Sequence, residues 1–182
     1  MDKYTFSLIE ETNMTPEIDQ AIRDLLCICF PPDVEAFSKE RPWNNVLPEY
    51  TIICEHNDKL VGQVGVVCRE IICGGERCAV AGIQSMAVIP EMRGIGLAQT
   101  IMKASTTEAA QRGVRYGMLF CCETLARKFY SRMGWIRTCE KVTMLNENGK
   151  SVELPDKNVA MYLPLTGESL PAGPIDLLGR EW

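Results

Sequence analysis

Histidine is almost missing from this chain: His56 is the only one in 182 residues. A single imidazole in a stretch that reads as a turn argues against a histidine-based metal centre. None of the nine cysteines belongs to a C-x-x-C pair, so no zinc-ligand spacing is present either, and no metal is expected. Apolar runs long enough to span a bilayer are absent, which argues against a membrane protein. Positive charge is scarce: 19 Lys and Arg stand against 24 Asp and Glu, a net charge of −5. That balance argues against a nucleic-acid partner and is compatible with cationic small molecules. The opening Met1-Asp2-Lys3-Tyr4 lacks a basic and apolar leader, so the expected location is cytoplasmic. No Gly-Lys-Ser/Thr follows a glycine loop, which excludes a Walker phosphate loop, and no G-x-G-x-x-G run supports a dinucleotide fold.

What is present is a chain of 46% hydrophobic residues, long enough for one sizeable core, so residues 1–182 are expected to form a single domain. Most cysteines lie in apolar runs, where a free thiol behaves as a small hydrophobe in a reducing compartment. Cys73 and Cys78 flank Gly74-Gly75-Glu76-Arg77 and can face each other across a hairpin; a disulfide there would need oxidation.

Residues 4–10 alternate as a strand. Thr15 then offers an N-cap with Pro16 at the first helical position, and Ile18, Ile22, Leu25 and Cys29 form one helical stripe that Pro31-Pro32 ends. Residues 33–49 read as a loop or short helix. Three strands at 50–55, 60–73 and 78–89, joined by short turns, predict an antiparallel meander. A helix after Gly94 shows Leu97, Ala98, Ile101, Met102, Ser105 and Ala109 on one face, with Gly113 as its stop. A strand at 114–122 follows. A short helix capped by Thr124 then turns Leu125, Ala126, Phe129, Tyr130 and Met133 inward, keeps Arg127, Lys128 and Arg132 wet, and ends at Gly134. Two strands, 135–145 and 158–164, precede a Gly- and Pro-rich tail from 166 to 182. The order is that of an α/β domain with a mixed sheet.

The stretch Ala81–Ala98 runs from a strand into a glycine loop and then a helix, an arrangement that aims unpaired N–H groups and partial positive charge at an anion. Its Arg93-x-x-Gly96-x-Ala98 spacing resembles the pyrophosphate loop of the GNAT superfamily of acyl-CoA-dependent N-acyltransferases. Ala126-Arg127-Lys128-Phe129-Tyr130-Ser131-Arg132-Met133-Gly134-Trp135 resembles the A-x-x-F-Y-x-x-x-G-F/W segment of the same family. The resemblance covers about residues 4–164. It implies a single-domain GNAT fold, with a mixed, mostly antiparallel sheet flanked by helices. It also implies acetyl transfer from acetyl-CoA to a primary amine by direct attack in a ternary complex. On the resemblance, Met86, Ala87, Val88, Arg93, Gly94, Ile95, Gly96, Leu97 and Ala98 hold the cofactor, the amide at Met86 serves the oxyanion, and Tyr130 protonates the leaving thiolate. Gln84 stands where several relatives carry a catalytic Glu; it cannot serve as a base at neutral pH and is read as orienting substrate or water.

The closing Asp176-Leu177-Leu178-Gly179-Arg180-Glu181-Trp182 and the Phe30-Pro31-Pro32-Asp33 loop resemble aminoglycoside 2-prime N-acetyltransferases. Leu170-Pro171-Ala172-Gly173 resembles the nodulation N-acyltransferases. Both likenesses imply a polycationic or amino-sugar acceptor near Asp33, Gln84, Glu181 and Trp182, with the tail covering the acceptor site. Arg180 stands where the antibiotic-modifying enzymes tend to carry an acid, and the same tail reads equally as an edge-covering segment. A homodimer is among the expectations. The alternative function is a non-catalytic module of the same fold that senses acyl-CoA, which the missing strand carboxylate motivates.

Overall fold

The structure is a computed structural model that describes residues 4–156 and 158–182; Met1–Lys3, read above for a leader, lie outside the described residues. The strands hydrogen-bond into a mixed, mostly antiparallel sheet with helices flanking it. Residues fall into two compact units: residues up to Val67 with Gln84–Ser105, and Cys68–Ile83 with Thr106–Trp182. Strands β3 (Lys59–Cys73) and β4 (Glu76–Val88) and helix α3 (Leu97–Gln111) each run through both.

In the first unit, β1 (Tyr4–Glu10) pairs antiparallel with β2 (Tyr50–His56), which pairs antiparallel with β3. Asn57 and Asp58 make the β2–β3 turn with both φ positive, at 50° and 59°, as a tight hairpin turn demands. Helix α1 (Pro16–Cys29) begins as expected: the Thr15 hydroxyl accepts from the Ile18 amide at 3.3 Å and Pro16 fills the first helical position. Its apolar stripe packs Ile22, Leu25 and Leu26 against Phe37, Ile53 and Ala87. The 33–49 stretch resolves into α2 (Val34–Phe37) and a loop tied down by Arg41. That guanidinium is buried, sits on both Glu11 carboxylate oxygens at 2.7 Å and reaches Asp19 at 3.2 Å. Gly62 lets α3 lie close on β3, because a Cβ there would meet Ile101 Cδ1 at 2.7 Å.

In the second unit, β4 pairs parallel with β5 (Tyr116–Cys121) over Val80–Gly82, and β5 pairs antiparallel with β9 (Val159–Pro164). The single strand expected at 135–145 is two: β6 (Ile136–Arg137), on β9, and β7 (Val142–Leu145), on β8 (Ser151–Glu153). The Thr138 hydroxyl accepts from the Glu140 amide at 3.1 Å, a local turn that competes with the strand ladder and breaks it. The tail contributes β10 (Ile175–Asp176), antiparallel to the end of β3 and parallel to β7. Helix α4 (Glu123–Lys128) starts two residues earlier than expected, with Cys122 rather than Thr124 at its N-cap. It breaks at Phe129 into a 3-10 turn, Tyr130–Met133, that Gly134 ends at φ 85°. Leu125, expected inward, is exposed.

Candidate functional site

The first unit carries the strand, loop and helix start singled out above. Along β4, Gln84 is buried, and its amide is committed at both ends: Oε1 accepts from the Trp43 amide at 2.9 Å, and Nε2 donates to the Val46 carbonyl at 2.8 Å. The side chain therefore clamps the 43–46 loop to the sheet. Ser85 follows with φ 50°, the one non-glycine residue inside a described strand held in the left-handed region. That conformation costs about 1–2 kcal/mol for a residue with a Cβ, and such outliers persist where the surroundings over-determine them. Gln63 on β3 donates from Nε2 to the Ser85 carbonyl. The Ser85 hydroxyl is buried and has no hydrogen-bond partner among the described residues. Met86 is half-buried, while Ala87 and Val88 enter the core.

Beyond β4, Pro90–Met92 makes a 3-10 turn, and Arg93, an exposed residue, donates from Nε back to the Val88 carbonyl at 2.9 Å, which braces the loop. Gly94 and Gly96 sit at φ 81° and 91°, and a Cβ at either would meet nothing within 4 Å. Backbone conformation, not crowding, calls for glycine here. The Gly96 carbonyl accepts from the Thr100 amide at 3.1 Å as the helical ladder starts; Leu97 is buried, anchoring α3, while Ile95 stands exposed and Ala98 half-buried. Cys29, at the end of α1, lies by Arg93; burial pushes its thiol up, partly offset by that guanidinium. Asp33 is half-buried in the turn after α1, and its carboxylate forms no ion pair with a described residue.

The second unit carries Tyr130, Glu181 and Trp182. Tyr130 is 8% exposed and stands edge-on to Phe129 and Trp135 at 4.9 and 6.0 Å. Burial, and after it the neighbouring Cys121 and Cys122, push its phenol well above the ordinary tyrosine range. The Trp182 indole lies on Gly82, donates from Nε1 to the Met118 carbonyl at 3.3 Å and packs on Phe120 at 5.1 Å. The Arg69 guanidinium stacks on the same indole at 4.5 Å and donates to the Arg180 carbonyl at 2.6 Å; its burial lowers its pKa to about 10. Glu181 accepts from the Asn158 amide at 2.8 Å.

Sequence reasoning missed Gln63, Arg41, Trp43 and Arg69. The signal for Gln63 was available: it is the lone polar side chain in the apolar run Leu60–Val67. Among the described residues no group of three or more His, Cys, Asp or Glu is placed to hold a metal, and no helix is long and apolar enough to cross a membrane.

A family model described as an acetyltransferase (GNAT) domain matches residues 12–137. The chain belongs to the GNAT acetyltransferase family. Solved structures share the fold. A GNAT family N-acetyltransferase (YhbS) from Escherichia coli, in complex with CoA, is 14% identical with a TM-score of 0.68, over 97% of this chain and 90% of its own. A GNAT family acetyltransferase from Brucella melitensis, in complex with acetyl-CoA, is 15% identical with a TM-score of 0.61, over 94% of each chain. A probable N-acyltransferase from Enterococcus faecalis V583 is 24% identical with a TM-score of 0.58 over 75% of this chain, which spans about a third (34%) of that protein's length. No curated protein matches the chain.

Proposed function

We propose that this protein transfers the acetyl group of acetyl-CoA to the primary amine of a small molecule, by direct attack in a ternary complex. The observation that carries the reading is the loop from Arg93 to Ala98: two glycines in left-handed conformation, open space where their side chains would stand, and a braced arginine just before a fifteen-residue helix. That arrangement suits the pyrophosphate of CoA, which needs N–H donors and positive charge rather than side-chain bulk. Met86 to Val88 take the pantetheine arm, and the Met86 amide donates to the thioester oxygen as it gains negative charge.

The neutral amine nitrogen attacks the thioester carbon, the C–S bond breaks, and the departing thiolate takes the phenolic proton of Tyr130. Tyr130 is a phenol throughout the neutral range and so carries a proton to give; burial raises its pKa and makes that proton harder to release, so the transfer must be coupled to the departure of the nascent thiolate. Gln84 is held by two backbone partners and supplies no base; the amine loses its proton to solvent. As acceptor we propose an amino sugar or aminoglycoside, a reading supported by the unpaired Asp33 carboxylate and by the sequence likeness of the 176–182 tail.

The test is mass spectrometry of a pooled amine panel (aminoglycosides, glucosamine oligomers, polyamines, amino acids, peptides) incubated with acetyl-CoA and the protein. An acetylated amino sugar or aminoglycoside is expected. Acetylation of another amine only would overturn the acceptor and keep the chemistry. Acetyl-CoA bound without any product would overturn acetyl transfer and support the sensor reading.

A further inference from the structure

We propose that Gln63 is a positioning residue for acetyl transfer: it fixes the Ser85–Met86 peptide so that the Met86 N–H faces the thioester oxygen. The inference rests on the acetyl-transfer reading above. Its geometry lies wholly in the first unit. Gln63 is 2% exposed on β3, within an otherwise apolar run, and its Nε2 donates to the Ser85 carbonyl. None of the described peptide bonds is cis, and in a trans peptide the C=O and the following N–H point in opposite directions. Pinning the Ser85 oxygen toward β3 therefore turns the Met86 N–H away from β3.

The pinned peptide is not one the strand would adopt unaided. Ser85 has φ 50°, where a regular strand has a strongly negative value, and serine has no glycine-like licence for it. Its buried hydroxyl meets no hydrogen-bond partner among the described residues, so the hydroxyl does not hold the bulge. The Gln63 amide is the side-chain donor that does. A buried amide contributes through the polar atom it satisfies, and losing it leaves the Ser85 carbonyl free to rotate, taking the Met86 N–H with it.

The position is one where orientation has chemical weight. An oxyanion donor works only when it is aimed before charge develops, so a residue that fixes the peptide plane acts on the transition state without touching substrate. Gln63 itself lies one peptide removed from the reacting atoms and is not a catalytic residue.

The test uses isotope-edited infrared spectroscopy of carbonyl-labelled acetyl-CoA bound to the full chain, with calorimetric affinities for acetyl-CoA and for CoA. In the wild type the thioester C=O band shifts to lower frequency on binding. In Gln63→Met, which keeps the volume and removes the donor, the shift is lost and acetyl-CoA affinity falls roughly tenfold, about the worth of one hydrogen bond. CoA has no acyl carbonyl, so its affinity stays within about twofold. Gln63→Asn keeps an amide but withdraws it by one methylene, and gives the same result should the methionine variant fail to fold. A retained band shift in either folded variant overturns the proposal. Equal weakening of CoA and acetyl-CoA overturns it too, because that is the signature of a purely structural role. A wild type that does not bind acetyl-CoA overturns the acetyl-transfer reading instead, and is distinguished by failing before any variant is compared.

Discussion

The Trp182 indole lies so close on Gly82 that a methyl group at position 82 would come within 2.3 Å of its Cε2. The contact seats the last side chain of the tail against the last paired residues of β4 and β5, Gly82 and Met118. Gly82→Ala is therefore expected to destabilise by about 1–3 kcal/mol through overpacking. Trp182→Ala, which empties the same place, should cost about 3–5 kcal/mol. In the Trp182→Ala background the added cost of Gly82→Ala should nearly vanish, because the two residues share one contact. Denaturant unfolding of the four-member cycle measures this; additive losses would show that the glycine is required for another reason.

The loop glycines behave differently. Gly94→Ala and Gly96→Ala meet no neighbour, so their cost is conformational only, about 1–2 kcal/mol each at φ 81° and 91°. The chain relieves that strain by moving the amides. Acetyl-CoA affinity should drop by about tenfold or more while the melting temperature changes by only a few degrees. Calorimetric titration of each variant reads the split, and unchanged affinity would remove the loop from pyrophosphate binding.

Local signals made most of the frame legible. Thr15-Pro16, Pro31-Pro32, Asn57-Asp58 and Gly134 each punctuate the chain where the sequence places them, because capping, proline and positive-φ requirements act over a few residues. The C-terminal part was harder to read. Ile136–Arg137 and Val142–Leu145 look continuous in sequence, but they pair with different strands, and partner choice is a long-range matter. The tail strand Ile175–Asp176 was equally hidden: two residues carry no periodicity, and only β3 and β7 make them a strand. The glycine loop announced itself by composition, whereas Gln63 gave one weak sign, and the double clamp on Gln84 gave none, since Trp43 and Val46 meet it through backbone atoms. Backbone partners leave no residue-type signature.

Tyr130→Phe isolates the proposed acid. The ring keeps its edge contacts with Phe129 and Trp135, so the fold should hold. Turnover of the acetylated amine should fall by about a hundredfold, the lower end for loss of a general acid, with acetyl-CoA affinity nearly unchanged. Because the phenol is held above its ordinary pKa of 10.0, the wild type should show no falling limb in kcat up to that pH. Equal turnover by the phenylalanine variant would remove Tyr130 from the acid role.

The buried thiols set an alkaline limit on stability. Burial, the largest cause in each case, raises Cys54 and Cys121 to about 11 and Cys73 to about 12, from an ordinary 9.0; at Cys73 the facing Cys78 adds to it. The folded chain thus holds these protons more tightly than the unfolded one. Below pH 9 both states are protonated and the thiols contribute no pH dependence. Above it the unfolded chain releases protons that the folded chain retains, so stability falls as pH rises from 9.0 through about 11 to 12. Melting temperatures measured from neutral pH upward, under reducing conditions, should be flat until about pH 8.5 and then decline. Cys54→Ala lowers the starting stability by leaving a small cavity, yet it should flatten the decline, since one of the shifted thiols is gone. An identical alkaline slope in that variant would show that groups other than Cys54 carry the loss.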